Sequence, residues 1–166
     1  MHPSLEHKVF GSIGTLAEAC RKWKADGHSL VFTNGCFDLL HPGHVDYLFQ
    51  AKDLGNKLII GVNTDSSVSH LKGPHRPIQP EQARLQVLAG LACADALVLF
   101  DDPTPLALIS AIGPQVLVKG GDYTAETVVG AKEVLRTGGR VVILPFLKGH
   151  STTALERRIL AAHNVQ

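Results

Sequence analysis

Five short apolar runs rich in valine, isoleucine and leucine recur along the chain, at Ser29–Thr33, Lys57–Val62, Ala96–Phe100, Val116–Lys119 and Arg140–Leu144. Near-continuous hydrophobicity over about five residues suits strands buried on both faces, because a strand with one wet face alternates polar and apolar positions. The stretches between the runs carry helical spacing instead. In HVDYLFQAKDLG, Val45, Leu48, Phe49 and Lys52 step along one face and Gly55 offers a stop. The same reading fits Pro80–Leu91, Pro105–Ile112, Gly130–Thr137 and Thr152–Ala162. Strands alternating with helices imply right-handed crossovers and a parallel sheet covered on both sides. The expected fold is therefore α/β, a Rossmann-like doubly wound parallel sheet of about five strands.

A chain of 166 residues fits one domain, residues 1–166, with 1–28 read as a helical lead-in and 29–162 as the core. The formal net charge of +1, with acids and bases scattered, offers no broad basic footprint for a nucleic-acid backbone, so a small ligand is expected. Cys20, Cys36 and Cys93 are odd in number and widely spaced, which argues against a disulfide framework and for a reducing cytoplasm. The N-terminus lacks a basic segment followed by an apolar stretch, and no run approaches the ~20 apolar residues of a membrane span. Neither export nor membrane insertion is expected.

Open parallel sheets bind ligands outside the carboxyl ends of their strands. The segments there are TNGCFDLLHPGH, NTDSSVSHLKGPHRP, DDPTP, KGGDY and LKGHSTT. Lys72–Pro80, with three prolines and a glycine, reads as an ordered irregular loop and a candidate lid.

The first segment is the most informative. If a helix opens at Gly43-His44, Pro42 fits its first turn, where a missing N–H costs nothing, and the free backbone donors and helix dipole form an anion site. His41 and His44 then face the same anion. Imidazole titrates near pH 6.5 and a bound anion favours its charged form, so the pair suits charge building on a phosphorus transition state. Two bland readings compete: metal ligation, for which only Asp38 lends support at plausible spacing, and simple capping or packing.

GCFDLLHPGH resembles the signature of the nucleotidyltransferase superfamily of cytidylyltransferase-like α/β proteins, with His41-Pro42-Gly43-His44 as its HxGH element. VFTNGCFDLLHPGH, GVNTDSSVSHLKGPHRPI, FDDPTPLALI, VLVKGGDY with VVGAKEV, and GHSTTALERRI together resemble the heptose-1-phosphate adenylyltransferases over roughly Leu30–Leu160. That resemblance implies attack of a sugar 1-phosphate on the α-phosphorus of ATP, with Mg²⁺ and release of pyrophosphate, for lipopolysaccharide or related glycan precursors. Family members are often fused behind a sugar kinase, so a separate kinase is expected to supply the sugar 1-phosphate. A homo-oligomer is a further expectation.

Such chemistry asks the protein to align and neutralise, so His41, His44 and Lys72 are the candidate catalytic residues. Asn34, Gly35, Cys36, Phe37 and Gly43 are candidate nucleotide contacts; Gly35 would let the backbone approach the ligand, while packing is the stronger reading for Cys36 and an alternative for Phe37. By resemblance Lys72 and Arg76 contact phosphate, with Asp38 beside the acceptor; solvated loop charges are the alternative. Lys119, Gly120 and Asp122 follow the fourth run. Asp122 is a candidate for a ribose hydroxyl or for placing Mg²⁺, and a plain turn aspartate is nearly as good a reading. Ser151, Thr152 and Thr153 open the last helix, where hydroxyls and free N–H groups suit the β- and γ-phosphates, with capping alone as the alternative. Asp65, Asp101 and Asp102 are candidates for substrate or metal contact, but each also begins an expected helix, and capping is the stronger reading.

One departure bears on the base. Cytidylyltransferases carry an RTEGISTT-like segment, whereas this chain has FLKGHSTT, with Phe146 at the arginine and Lys148 at the glutamate. ATP is therefore expected over CTP. A cytidylyltransferase acting on a polyol or amino-alcohol phosphate, and a non-catalytic nucleotide-binding module, are the rival readings.

Overall fold

The computed structural model describes residues 1–121 and 123–163. The chain runs α1 (Pro3–Glu6), β1 (Val9–Phe10), α2 (Ile13–Ala25), β2 (Leu30–Gly35), α3 (Pro42–Lys52), β3 (Lys57–Asn63), α4 (Asp65–Lys72) and α5 (Glu81–Ala89). It continues with β4 (Ala96–Phe100), α6 (Leu106–Ile112), β5 (Val116–Gly120), a 3₁₀ turn at Ala125–Thr127, α7 (Ala131–Arg136), β6 (Arg140–Leu144) and α8 (Thr152–Ala162). Six parallel strands form one sheet in the order β1-β4-β3-β2-β5-β6.

Each apolar run became a strand. The count of about five is corrected to six by β1, which lies inside the segment read as a helical lead-in and pairs Val9 with Leu97 and Phe10 with Val98. A two-residue strand is too short to show a period, so only its partner β4 reveals it.

The continuous hydrophobicity of the runs is explained by the two cores. Along β2, Val31 joins Leu48, Leu58, Ile60, Leu88 and Leu97 on one side of the sheet. Leu30 and Phe32 join Leu16, Ile59, Leu108, Ile112 and Val134 on the other. Both faces of the strand are covered, and neither can be polar.

The order of strands decides where a ligand fits. From β2 the chain proceeds outward through β3 and β4, then returns to place β5 on the other side of β2. The loops leaving β2 and β5 diverge at this switch point and leave a crevice at their carboxyl ends.

Two of the aspartates read as caps, Asp65 and Asp101, do other work. Thr64 caps α4 by accepting from the Ser67 N–H at 3.2 Å, and Asp65 is the first helical residue. Its carboxylate accepts from Arg84 Nη2 at 2.8 Å. Pro105 stands at the cap position of α6; neither Asp101 nor Asp102 caps it, and the Asp101 carboxylate instead accepts from the hydroxyls of Thr64 and Ser66. A side-chain acceptor near a helix start is legible in sequence, but which of several neighbours turns toward the free N–H depends on the backbone.

Candidate functional site

A cavity of about 570 Å³ opens at the carboxyl ends of β2 and β5. The helix after β2 starts one residue earlier than the sequence suggested. Pro42 is its first residue and His41 its cap, with extended φ, ψ of −141° and 166° and with Nδ1 accepting from the His44 N–H at 3.3 Å. Capping and ligand contact are therefore compatible for His41.

One helical turn brings the two imidazoles into a stack, with centroids 3.8 Å apart and planes inclined by 18°. Gly43 makes the stack possible, since a β-carbon there would lie 3.1 Å from the His41 ring. Phe37 supports it from below. Its backbone sits at φ 49°, an uncommon conformation for a residue with a side chain, and its ring meets His44 edge-on at 5.4 Å. Phe37 is buried in the core and lines the cavity as well. Gly35 lines the cavity too, and its missing side chain makes room for Phe37, whose ring would lie 3.1 Å from an added β-carbon.

The stack is electrostatically tense. Burial, and then the neighbouring His41 and Lys72, push the His44 pKa down to about 4. Among the described residues its Nδ1 is buried with no hydrogen-bond partner. His41 is lowered as well, by burial and by His150. Both rings are thus held toward their neutral form, and an anion beside them would favour protonation.

The other walls come from separated segments. Lys119 at the end of β5 crosses the switch point and donates from Nζ to Asn34 Oδ1 at 2.8 Å; burial lowers its pKa. Both residues line the cavity, as do Cys36, Gly43 and Gly120. The exposed Phe146 ring lies over Gly120, where a β-carbon would meet it at 2.9 Å. Asp122 lies outside the described residues. From a third direction, α8 points its N-terminus at the cavity, with Ser151 as cap, its Oγ accepting from the Ala154 N–H at 3.0 Å, and with Thr152 and Thr153 beside it.

Three expectations change. Lys72 lines the cavity and is exposed, but it ends α4 rather than riding on a loop. The candidate lid after it is tied down. Asp38 accepts from the N–H groups of Ile78 and Gln79 at 2.9 Å and from Arg76 Nη1 at 2.9 Å. Burial alone would raise the Asp38 carboxyl, yet these donors outweigh it and hold the pKa below its ordinary value. Arg76, paired also with Glu156 of α8, is not among the cavity-lining residues. Asp38 reaches the cavity wall but spends its carboxylate on the loop, because a buried charge requires partners and the loop supplies them.

Sequence reasoning missed Arg84, Tyr47 and His150. Arg84 is 1% exposed and donates to Cys36 O at 2.6 Å, Asn63 O at 2.7 Å, Asp65 Oδ1 at 2.8 Å and Gln79 O at 3.1 Å. Within QARLQVLAG it reads as a solvated helix charge. Tyr47, whose hydroxyl shares a 2.6 Å hydrogen bond with Thr33 Oγ1, has its pKa raised to about 12 by burial. His150 stood inside a motif already singled out.

The cytidylyltransferase-like family model matches residues 32–158, which span these elements from β2 into α8. The chain belongs to that family. Two curated relatives are each named bifunctional protein HldE. The one from Acidiphilium cryptum is 57% identical over 86% of this cytidylyltransferase-like chain and 29% of its own length. The one from Caulobacter vibrioides is 59% identical over 82% and 28%. The chain thus spans under a third of the length of these relatives. A crystal structure of a lipopolysaccharide core biosynthesis protein from Thermoplasma volcanium matches with a TM-score of 0.59 and 28% identity, over 75% of this chain and all of that one. A pantoate-β-alanine ligase from Francisella tularensis, at 14% identity and a TM-score of 0.57 over 89% of this chain and 75% of that one, shares the fold.

The role of Gly43 in this cytidylyltransferase-like site can be tested directly. Alanine improves helix propensity by up to about 1 kcal/mol over glycine, but its β-carbon displaces the His41 ring. Gly43→Ala is expected to keep its unfolding midpoint near that of the parent and to lose at least about tenfold in turnover, since small misalignments of catalytic groups are costly.

Proposed function

We propose that the chain is an adenylyltransferase that joins ATP and a heptose 1-phosphate. A phosphate oxygen of the sugar phosphate bonds to the α-phosphorus, the bond to the β-phosphate oxygen breaks, and ADP-heptose and pyrophosphate leave. The observation that carries this reading is the stacked His41–His44 pair at the opening of α3, facing a cavity that also receives Lys72 and the N-terminus of α8. These groups meet a triphosphate from several sides and stabilise charge as it moves onto the leaving group. The relatives named bifunctional protein HldE, and the neighbour named for lipopolysaccharide core biosynthesis, support a place in surface-glycan precursor synthesis.

Mg²⁺ enters in this reading with the substrate as Mg·ATP. Among the described residues no group of three or more His, Cys, Asp or Glu is arranged to hold a metal, and Mg²⁺ commonly relies on phosphate oxygens and water. The sugar 1-phosphate comes from a kinase reaction, in keeping with relatives that are bifunctional and far longer than this chain. Among the described residues no helix is long and apolar enough to cross a membrane, and the reaction belongs with the ATP of the cytoplasm.

Pyrophosphate release measured with ATP and CTP against heptose 1-phosphate, hexose 1-phosphates and glycerol 3-phosphate tests the reading. Turnover is expected with ATP and heptose 1-phosphate. Activity with CTP alone rejects it.

A further inference from the structure

His150 has no role in the reading so far. It sits in the turn ahead of the α8 cap, its N–H donating to Leu147 O at 3.4 Å, and it is exposed on the cavity wall. The opening of α3 lies opposite. A β-carbon built on Gly43 would be 3.3 Å from His150 Cβ and 3.1 Å from the His41 ring. A third imidazole therefore adjoins the stacked pair across a glycine that has no side chain to separate them.

Among the described residues, the charged groups that act on the stacked pair have one sign. From α3 come His41 and His44, and from the end of α4 comes Lys72, which acts on His44. Among the described residues, the nearby carboxylates are engaged: Asp38 with the loop after α4 and with Arg76, Glu156 of α8 with Arg76, and Asp46 of α3 with Gln50. Imidazoles beside one another and beside a lysine are held toward their neutral form, and a bound polyanion favours their charged form.

We infer that His150 is a further phosphate-binding residue, meeting the two outer phosphates of the triphosphate from the α8 side while His41 and His44 face the inner one from α3. The inference deepens the adenylyltransferase reading and rests on it. His150 directly precedes Ser151, whose side chain satisfies the Ala154 N–H and leaves earlier donors of the first turn free for the same anion. When the bond to the α-phosphorus breaks, negative charge grows on the departing pyrophosphate. An imidazolium held there by hydrogen bonding offsets that charge without giving up its proton.

His150→Gln keeps a donor of similar size and removes the titratable charge. Calorimetry on the full chain with Mg·ATP, inorganic pyrophosphate and AMP, at about pH 6 and about pH 8, separates the contributions. At the lower pH the variant is expected to bind ATP and pyrophosphate about tenfold more weakly than the parent, with a smaller gap at the higher pH. AMP affinity and the thermal midpoint are expected to stay at parental values. Equal affinities and equal pH dependence for ATP and pyrophosphate in the two proteins overturn the inference, and so does a parallel loss of AMP binding. A parent that binds ATP and pyrophosphate but makes no nucleotide sugar defeats the adenylyltransferase reading while leaving the His150 comparison intact. A parent that binds no triphosphate defeats both.

Discussion

His44→Leu is expected to lower turnover by at least about 10²-fold while leaving the folded chain as stable as its parent at neutral pH, or more so. The two halves of this expectation have separate causes. Turnover is expected to fall because, in the proposed reaction, the imidazole is one of the donors facing the α-phosphate, and leucine has nothing to offer a phosphoryl oxygen. Stability is expected to hold because burial already disfavours a polar ring whose Nδ1 is unpartnered among the described residues, and leucine fills a similar volume, which offsets the lost backbone contact with Leu39. His41 behaves differently. It also caps α3, so His41→Ala is expected to lose the same order of activity and about 1 kcal/mol of stability besides.

The pH dependence gives an independent signature for His44. Its pKa falls from 6.5 to about 4 on folding, so between those values the unfolded chain binds the extra proton. The contribution of neutral His44 is then complete above about pH 6.5 and is lost as the pH falls through about 4. Denaturant midpoints at pH 7 and pH 5 should therefore separate less in His44→Leu than in the parent. Near-normal turnover in the leucine variant would remove the histidine pair from the chemistry.

The largest effect on stability is expected at Arg84. Its guanidinium is fully buried and holds four acceptors, from the ends of β2 and β3, the first turn of α4 and the loop before α5. Methionine fills much of the same volume but leaves three carbonyls unpaired and frees Asp65. Asp65 is 41% exposed and is left to water, so the loss comes from the carbonyls, at about 1–3 kcal/mol for each buried acceptor left unpaired, a large share of the stability of a domain this size. Arg84→Met is expected to lower the urea midpoint accordingly. Arg84→Lys is expected to recover only part, because an ammonium on one stem cannot serve four directions as a planar fork does. A midpoint unchanged in Arg84→Met would show that these contacts do not hold the strand ends together.

How much of this was legible beforehand follows from the range of each interaction. Gly43 between two histidines, Pro42 at a helix opening and Ser151 ahead of a periodic run are local signals, carried by residues within one turn of each other, and they place the start of α3 to within one residue and that of α8 as observed. Arg84 gave no such signal. Its partners are 5 to 48 positions away in the chain, so its burial depends on how β2, β3 and the loop converge. Asp38 and Arg76 illustrate the same limit. Both carry charges suited to a substrate phosphate or its surroundings, yet the fold joins them to each other 38 positions apart.

The alternation of buried runs with amphipathic stretches determined a parallel α/β sheet, and the HPGH turn determined a helix opening with two histidines one turn apart, because both depend only on neighbours along the chain. The two-residue β1, the tying down of the loop after Lys72, and the approach of His150 to Gly43 were decided by the tertiary structure alone. Each is a contact between segments whose separation in sequence carries no periodic trace, and only packing brings them within reach.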